Sequence, residues 1–201
     1  MVVEKFERAI ADYFGAPYAV AVDCCTHGVE LSLRYTNAGW FECPNRTYLS
    51  IPMLSNKLDK PFLFHDYQWQ DYYHLTGQVI DAAVLWKPKS YKLGTFMSLS
   101  FQYQKHLSLG RGGMILCETT QQYIDLKKLT YDGRLPNVPW REQDIDSVGY
   151  HYYMTPETAQ LGLDKLPEAI STEPRKWVVT DWPDLTNMKL WEKRKHYEKK
   201  E

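Results

Sequence analysis

At 201 residues the chain is long enough for one sizeable domain, or a domain with an appendage, and its 44% hydrophobic content with mixed charges is that of an ordinary globular protein. A formal net charge of −1 gives no strong pull toward nucleic acid or an anionic membrane surface. No apolar run has the length to cross a bilayer and Met1-Val2-Val3-Glu4-Lys5 lacks the shape of a signal peptide, so the expectation is a cytoplasmic protein.

Val3, Phe6, Ile10, Tyr13 and Phe14 recur at helical spacing and predict a helix over residues 2–14, ended by Gly15. Tyr18-Ala19-Val20-Ala21-Val22 reads as a short buried strand, after which Thr26 is placed to cap a helix through Val29, Leu31 and Leu33. Trp40 to Cys43 is a short apolar segment stopped by Pro44, and Phe62-Leu63-Phe64, Val79-Ile80, Phe96 to Phe101 and Met114 to Cys117 are strand candidates. Helices are expected over residues 120–129 and 156–170. Strands alternating with helices predict an α/β domain over residues 1–170, with a mostly parallel sheet flanked by helices. Pro, Trp and charge mark a change after Ile170, so residues 171–201 read as a C-terminal extension ending in a solvated helix from Trp191.

Cys24, Cys25, Cys43 and Cys117 contain no C-x-x-C pair, which argues against a structural zinc site, and reduced thiols fit the expected compartment. The aromatic run from Phe64 to Tyr73 has two readings: a platform for nucleobases, or a loop or short strand covering a core or subunit interface.

The most informative stretch runs from Ser98 to Met114. Lys105 lies in a loop between two apolar strand candidates, with Ser100 five residues before it and glycines at 110, 112 and 113 after it. Such glycines permit tight turns close to a ligand. A lysine partly removed from water gives up its proton more readily, and only the neutral amine attacks an aldehyde.

This stretch resembles the S-F-H-x-x-K-x-L-x-x-G-E-G-G motif of the DegT/DnrJ/EryC1/StrS family of sugar aminotransferases that use pyridoxal phosphate (PLP). The resemblance implies a lysine, Lys105, that carries the cofactor and a serine, Ser100, that contacts its phosphate. Residues 6–33 resemble the family's opening helix, strand and S-S-G-T-A-A phosphate loop, which puts Thr26 at the phosphate and Cys25 in place of the loop glycine. Free N–H groups at a helix start attract anions, which supports that placement. Cys43 to Tyr48 resembles the segment supplying P-x-x-T-F. Ile80-Asp81-Ala82-Ala83 matches E-D-A-A, whose aspartate pairs with the pyridine nitrogen, a role that falls on Asp81. Gly149 to Thr155 resembles G-Y-N-Y-R-M-T, with His151 where the family's asparagine reaches the phosphate of a neighbouring subunit. The implied fold is the large domain of the fold type I PLP transferases, and the implied assembly is a homodimer.

The sequence also departs from the family. It is about half the family's usual length, with a short aromatic connection between Asp66 and Ile80, and the small C-terminal domain that closes over the substrate is expected to be missing, leaving a more open site. Val84 stands where a glutamine meets the cofactor's phenolic oxygen, Gln102 replaces the motif histidine, and Tyr153 replaces an arginine. Arg111, where Glu is frequent, is a further candidate to meet an anion. The retained residues imply an aminotransferase acting on a nucleotide-linked keto-sugar, with glutamate as donor. The lost contacts suggest the alternative of a non-catalytic homologue that binds a nucleotide sugar or a partner subunit.

Overall fold

The computed structural model describes residues 1–191; the terminal helix expected beyond Trp191 lies outside the described residues. Five helices are α1 (Val2–Phe14), α2 (Cys25–Tyr35), α3 (Ser50–Leu58), α4 (Thr120–Thr130) and α5 (Pro156–Ser171). The strands are β1 (Tyr18–Val22), β2 (Phe41–Pro44), β3 (Phe62–His65), β4 (Tyr73–His74), β5 (Val79–Asp81), β6 (Phe96–Ser100) and β7 (Gly113–Cys117). The expected elements are present within a residue or two, and α3 and β4 are additions.

Local chemistry explains several boundaries. Gly15 takes φ +73° and closes α1 by donating its N–H to Ala11, a conformation that is cheap only for glycine. Thr119 caps α4 through the N–H of Gln122, whose side chain returns the bond. Thr155 caps α5 ahead of Pro156, which needs no N–H at the first helical position. Pro52 lies in the first turn of α3, where it costs nothing for the same reason. Thr26 does not cap α2: the helix starts one residue earlier, with Cys24 in extended geometry as its boundary.

Five strands form one sheet in the order β1-β7-β6-β5-β4, and β2 and β3 form a separate parallel pair. The α/β class holds, but the large sheet is mixed rather than mostly parallel. Only β5 and β6 run parallel; β1–β7, β6–β7 and β4–β5 are antiparallel. Connectivity accounts for part of this: β6 returns to β7 through the loop at 101–112, which contains no helix to carry a parallel crossover, and β4 joins β5 through four residues.

Alternation along β1 sorts the core. Ala19 and Ala21 face α1 and α5 with Phe6, Phe14, Met97 and Leu166, while Val20 and Val22 join Leu31, Ile115 and Leu126 on the opposite face. A further apolar cluster joins α2, α3 and β2–β5, and Leu185 and Trp191 of the C-terminal segment are buried in it. That segment crosses back over the domain, with the Leu185 N–H donating to the Asn45 carbonyl and Arg46 donating to the Trp182 carbonyl. None of the described helices is long and apolar enough to cross a membrane.

Candidate active site

The end of β6, the start of β7, the first turn of α2, the end of β5 and the start of α3 converge on one cavity. Its position depends on Gly113. A Cβ at this residue would come within 2.6 Å of the Cys24–Cys25 peptide, so only glycine lets β7 pass under the start of α2. The cavity has a volume of about 390 Å³, and Cys25, Thr26, Asp81, Ser100 and Lys105 all line it. That size suits a small organic ligand. A larger cavity of about 580 Å³ lies between α2 and α4 and holds none of the expected site residues.

Asp81 ends β5 with its side chain almost wholly buried. The Tyr73 hydroxyl donates to Oδ2 at 2.6 Å, and the Ala83 N–H donates to Oδ1 at 2.9 Å. Burial pushes the Asp81 carboxyl above its ordinary range, opposed by these bonds and by the charge of Lys105. Lys105 sits in the turn after β6, its N–H donating to the Gln102 carbonyl. Burial lowers the pKa of its ammonium; Cys25 and Asp81 act the other way, and nearby Arg175 adds to the lowering. Cys25 is buried, and its thiol reaches the Ser98 carbonyl at 3.4 Å and Asp81 Oδ1 at 3.9 Å. Burial and the Asp81 charge push that thiol well up, so it stays protonated. The side chain at the loop-glycine position therefore points at the carboxylate end of the cavity.

Hydroxyls gather at the other end. Thr26, in the first turn of α2, shares a 2.7 Å hydrogen bond with Ser50, which begins α3. Two helix starts thus meet here, a setting that favours an anion. Ser100, at the end of β6, lines the same cavity, its Oγ accepting from the Gln102 N–H at 3.4 Å. At the rim, Arg111 pairs with Asp23 at 2.8 Å, and Asp23 also holds His27 at 2.6 Å. Burial disfavours the charged imidazole, yet bonds to Asp23 and Cys24 raise His27 to about 9. Asp23, Cys24 and His27 have ligating atoms within 4.8 Å of one another. The Asp23 carboxylate of this trio is already engaged by His27 and Arg111.

Aromatic rings roof the cavity. The Lys105 ammonium lies 4.6 Å from the centre of the Trp177 ring, and Arg175 stands 4.0 Å from the same ring. Trp177 stacks on Trp182, which leans on Trp69, and Trp69 meets Tyr73 edge-on. Of the two readings of the aromatic run, the covering one describes Trp69 and Tyr73: they pack against the core and the C-terminal segment of their own chain.

His151 is the expected site residue that does not reach the cavity. Its ring is largely exposed and pairs with Asp132 at 3.0 Å, held there by a bridge between His151 and Tyr131. Sequence reasoning missed Ser50, Trp177 and Trp182, and it gave Thr47 and Tyr73 no role beyond the P-x-x-T-F resemblance and the aromatic run. Ser50 opens a helix that begins Ser-Ile-Pro, a helix-start signal that marks it in hindsight. Trp177 and Trp182 carry no local signal.

The sequence model of the DegT/DnrJ/EryC1/StrS aminotransferase family matches residues 1–49 and 86–179, more than half of the chain. The chain belongs to that family. The family's cofactor is pyridoxal phosphate, and Lys105, Ser100 and Thr26 lie within the matched blocks while Asp81 falls between them. Among solved structures, AtS13 from Actinomadura melliaura is 19% identical with a TM-score of 0.74, covering 85% of this chain and 60% of its own. The sugar aminotransferase CalS13 from Micromonospora echinospora is 15% identical at a TM-score of 0.70, covering 85% and 61%. Helicobacter pylori PseC, an aminotransferase involved in the biosynthesis of pseudoaminic acid, is 13% identical at 0.69, covering 85% and 58%. The chain thus spans about 60% of the length of these structures, which share its fold. No curated protein matches the sequence.

Proposed function

We propose that this chain binds pyridoxal phosphate at Lys105 and transfers an amino group to a nucleotide-linked keto-sugar, with glutamate as the donor. The observation that supports this reading is the opening onto one cavity of a lysine with a destabilised ammonium and a fully buried carboxylate. The residues present fit the cofactor: an amine for its aldehyde, an anion for its ring nitrogen, and hydroxyls at two helix starts for its phosphate. When bound, the cofactor supplies an electrophilic carbon and an electron-accepting ring.

Burial at Lys105 enlarges the fraction of neutral amine at a given pH, and that form is the nucleophile. Asp81 would hold a proton on the ring nitrogen. Thr26, Ser50 and Ser100 would donate to the phosphate oxygens. Lys105 Nζ, once released, would carry the proton between donor and acceptor carbons. Trp177 and Trp182 would exclude water from Lys105. The exposed position of His151 is compatible with a homodimer in which it serves the partner's cavity.

Purified protein mixed with pyridoxal phosphate should develop a visible absorption band that Lys105→Ala lacks; a variant keeping the same band overturns the assignment. Formation of the band should speed up with rising pH, with a midpoint below the ordinary lysine value of 10.5. Added glutamate should bleach it. The non-catalytic alternative draws on the Trp177 ring standing against the Lys105 ammonium, and a band that glutamate leaves unchanged favours that alternative.

A further inference from the structure

β4 and β5 are antiparallel, and Tyr73 is the register partner of Asp81. Directly opposed residues project from the same face of a sheet, so this pairing is built into the backbone. The Tyr73 hydroxyl reaches Asp81 Oδ2 at 2.6 Å and Thr47 Oγ1 at 2.5 Å. A phenol has one proton. If Tyr73 gives it to the carboxylate, Thr47 must donate to the Tyr73 oxygen, which fixes a directional relay from Thr47 through Tyr73 to Asp81. All three side chains are buried. Tyr73 and Asp81 lie between the two blocks that match the family, and Thr47 lies within the first.

We propose that Tyr73, backed by Thr47, is a positioning residue that holds Asp81 ionised and fixed in one orientation at the end of β5. The proposal rests on the PLP reading only for its purpose; the hydrogen-bond relay itself is testable without cofactor. The titratable groups facing Asp81 are Tyr73 from β4, Cys25 from α2, Cys43 from β2 and Lys105 from the turn after β6. Both thiols and the phenol are pushed upward by burial and stay protonated through the acid and neutral range. Asp81 is the carboxyl of this cluster, raised above its ordinary value by burial, while burial lowers Lys105.

The sign follows from the direction of its shift. The folded Asp81 carboxyl sits above its unfolded value near 3.8, so the folded state is favoured at low pH and loses stability as pH rises through that window. Removing the Tyr73 donor makes ionisation harder still and deepens the loss.

The experiment is a cycle of cofactor-free wild type, Tyr73→Phe, Asp81→Asn and the double variant, with Tm measured from pH 4 to pH 8 by about one-unit steps. The Tm deficit of Tyr73→Phe should grow by about 2–4 °C from the acid to the neutral end, the size of the excess of a hydrogen bond to a charged carboxylate over one to a neutral carboxyl in a chain of this length. In the Asp81→Asn background the deficit should be independent of pH. Thr47→Val should show a smaller deficit of the same sign, which keeps the relay testable should Asp81→Asn fail to fold. A constant deficit in both backgrounds overturns the proposal and leaves Tyr73 as packing alone. In a second arm, Tyr73→Phe should need on the order of tenfold more pyridoxal phosphate for half-maximal absorbance, with no further loss when added to Asp81→Asn. If wild type develops no absorption band, the functional reading fails while the Tm cycle still decides the role of Tyr73.

Discussion

Two of the buried carboxylates, Glu7 and Asp81, have nearly the same set of partners and opposite outcomes. Glu7, on α1, accepts from the Ala21 N–H at 2.8 Å, the Tyr123 hydroxyl at 3.1 Å and the Lys127 ammonium at 2.7 Å. Asp81 likewise accepts from a backbone N–H and a tyrosine hydroxyl, and it too has a lysine nearby. The lysine makes the difference. Lys127 is in contact with Glu7 and almost fully buried, so that set is closed. Among the described residues Asp81 has no ion pair, and Lys105 turns its ammonium to the Trp177 ring instead. A closed set serves packing; an open one keeps a charge on each side of a space that a ligand can enter. Burial pushes both carboxyls upward, so the pKa direction alone does not separate the two cases.

Breaking the closed set should have the largest effect. Lys127→Ala leaves Glu7 buried without its counter-charge and should cost about 3–5 kcal/mol in chemical denaturation, with little change in the absorption of protein loaded with pyridoxal phosphate. The open set should respond with the opposite sign. Asp81→Asn removes a charge that burial disfavours, so at neutral pH it should stabilise the cofactor-free protein by roughly 0.5–2 kcal/mol, in the manner of groups kept for function at the expense of stability. The gain should vanish as pH falls toward the unfolded value of 3.8, because folded wild-type Asp81 takes up its proton above that pH. Trp177→Ala should have the smallest effect, about 0.5–1 kcal/mol for the lost contact with Lys105. Its value as a test is kinetic: added pyridoxal phosphate should enter the unroofed cavity faster, as stopped-flow absorbance would record.

The sequence was most legible where function depends on short spacing. Ser100 and Lys105 flank one turn, Thr26 begins one helix, and all three open on the same cavity as Asp81. Strand direction was less legible, because the alternation in Tyr18 to Val22 is the same whether its neighbour runs parallel or antiparallel. The motif position of Cys25 is readable along the chain, but where its thiol points depends on Asp81 and Ser98, far away in sequence. Residues 171–201 read as an extension because their composition changes; what the described part does follows from Trp177 and Trp182 meeting Lys105 and Trp69. Tyr73 was visible only as one ring among several, since its meaning comes from the register of β4 against β5.

The Glu7 bond to Ala21 has a consequence for how copies of this protein meet one another. β1 is an edge of the large sheet, and an edge with free N–H and C=O groups is a template for an incoming strand. The Glu7 carboxylate occupies the Ala21 N–H, Tyr152 accepts from the Asp23 N–H, and Val22 is bridged to Tyr153. The opposite edge, β4, is two residues long, too short to seed a ladder. Neither margin of the sheet invites growth by strand addition, so copies that associate should do so through side-chain surfaces while their sheets stay finite.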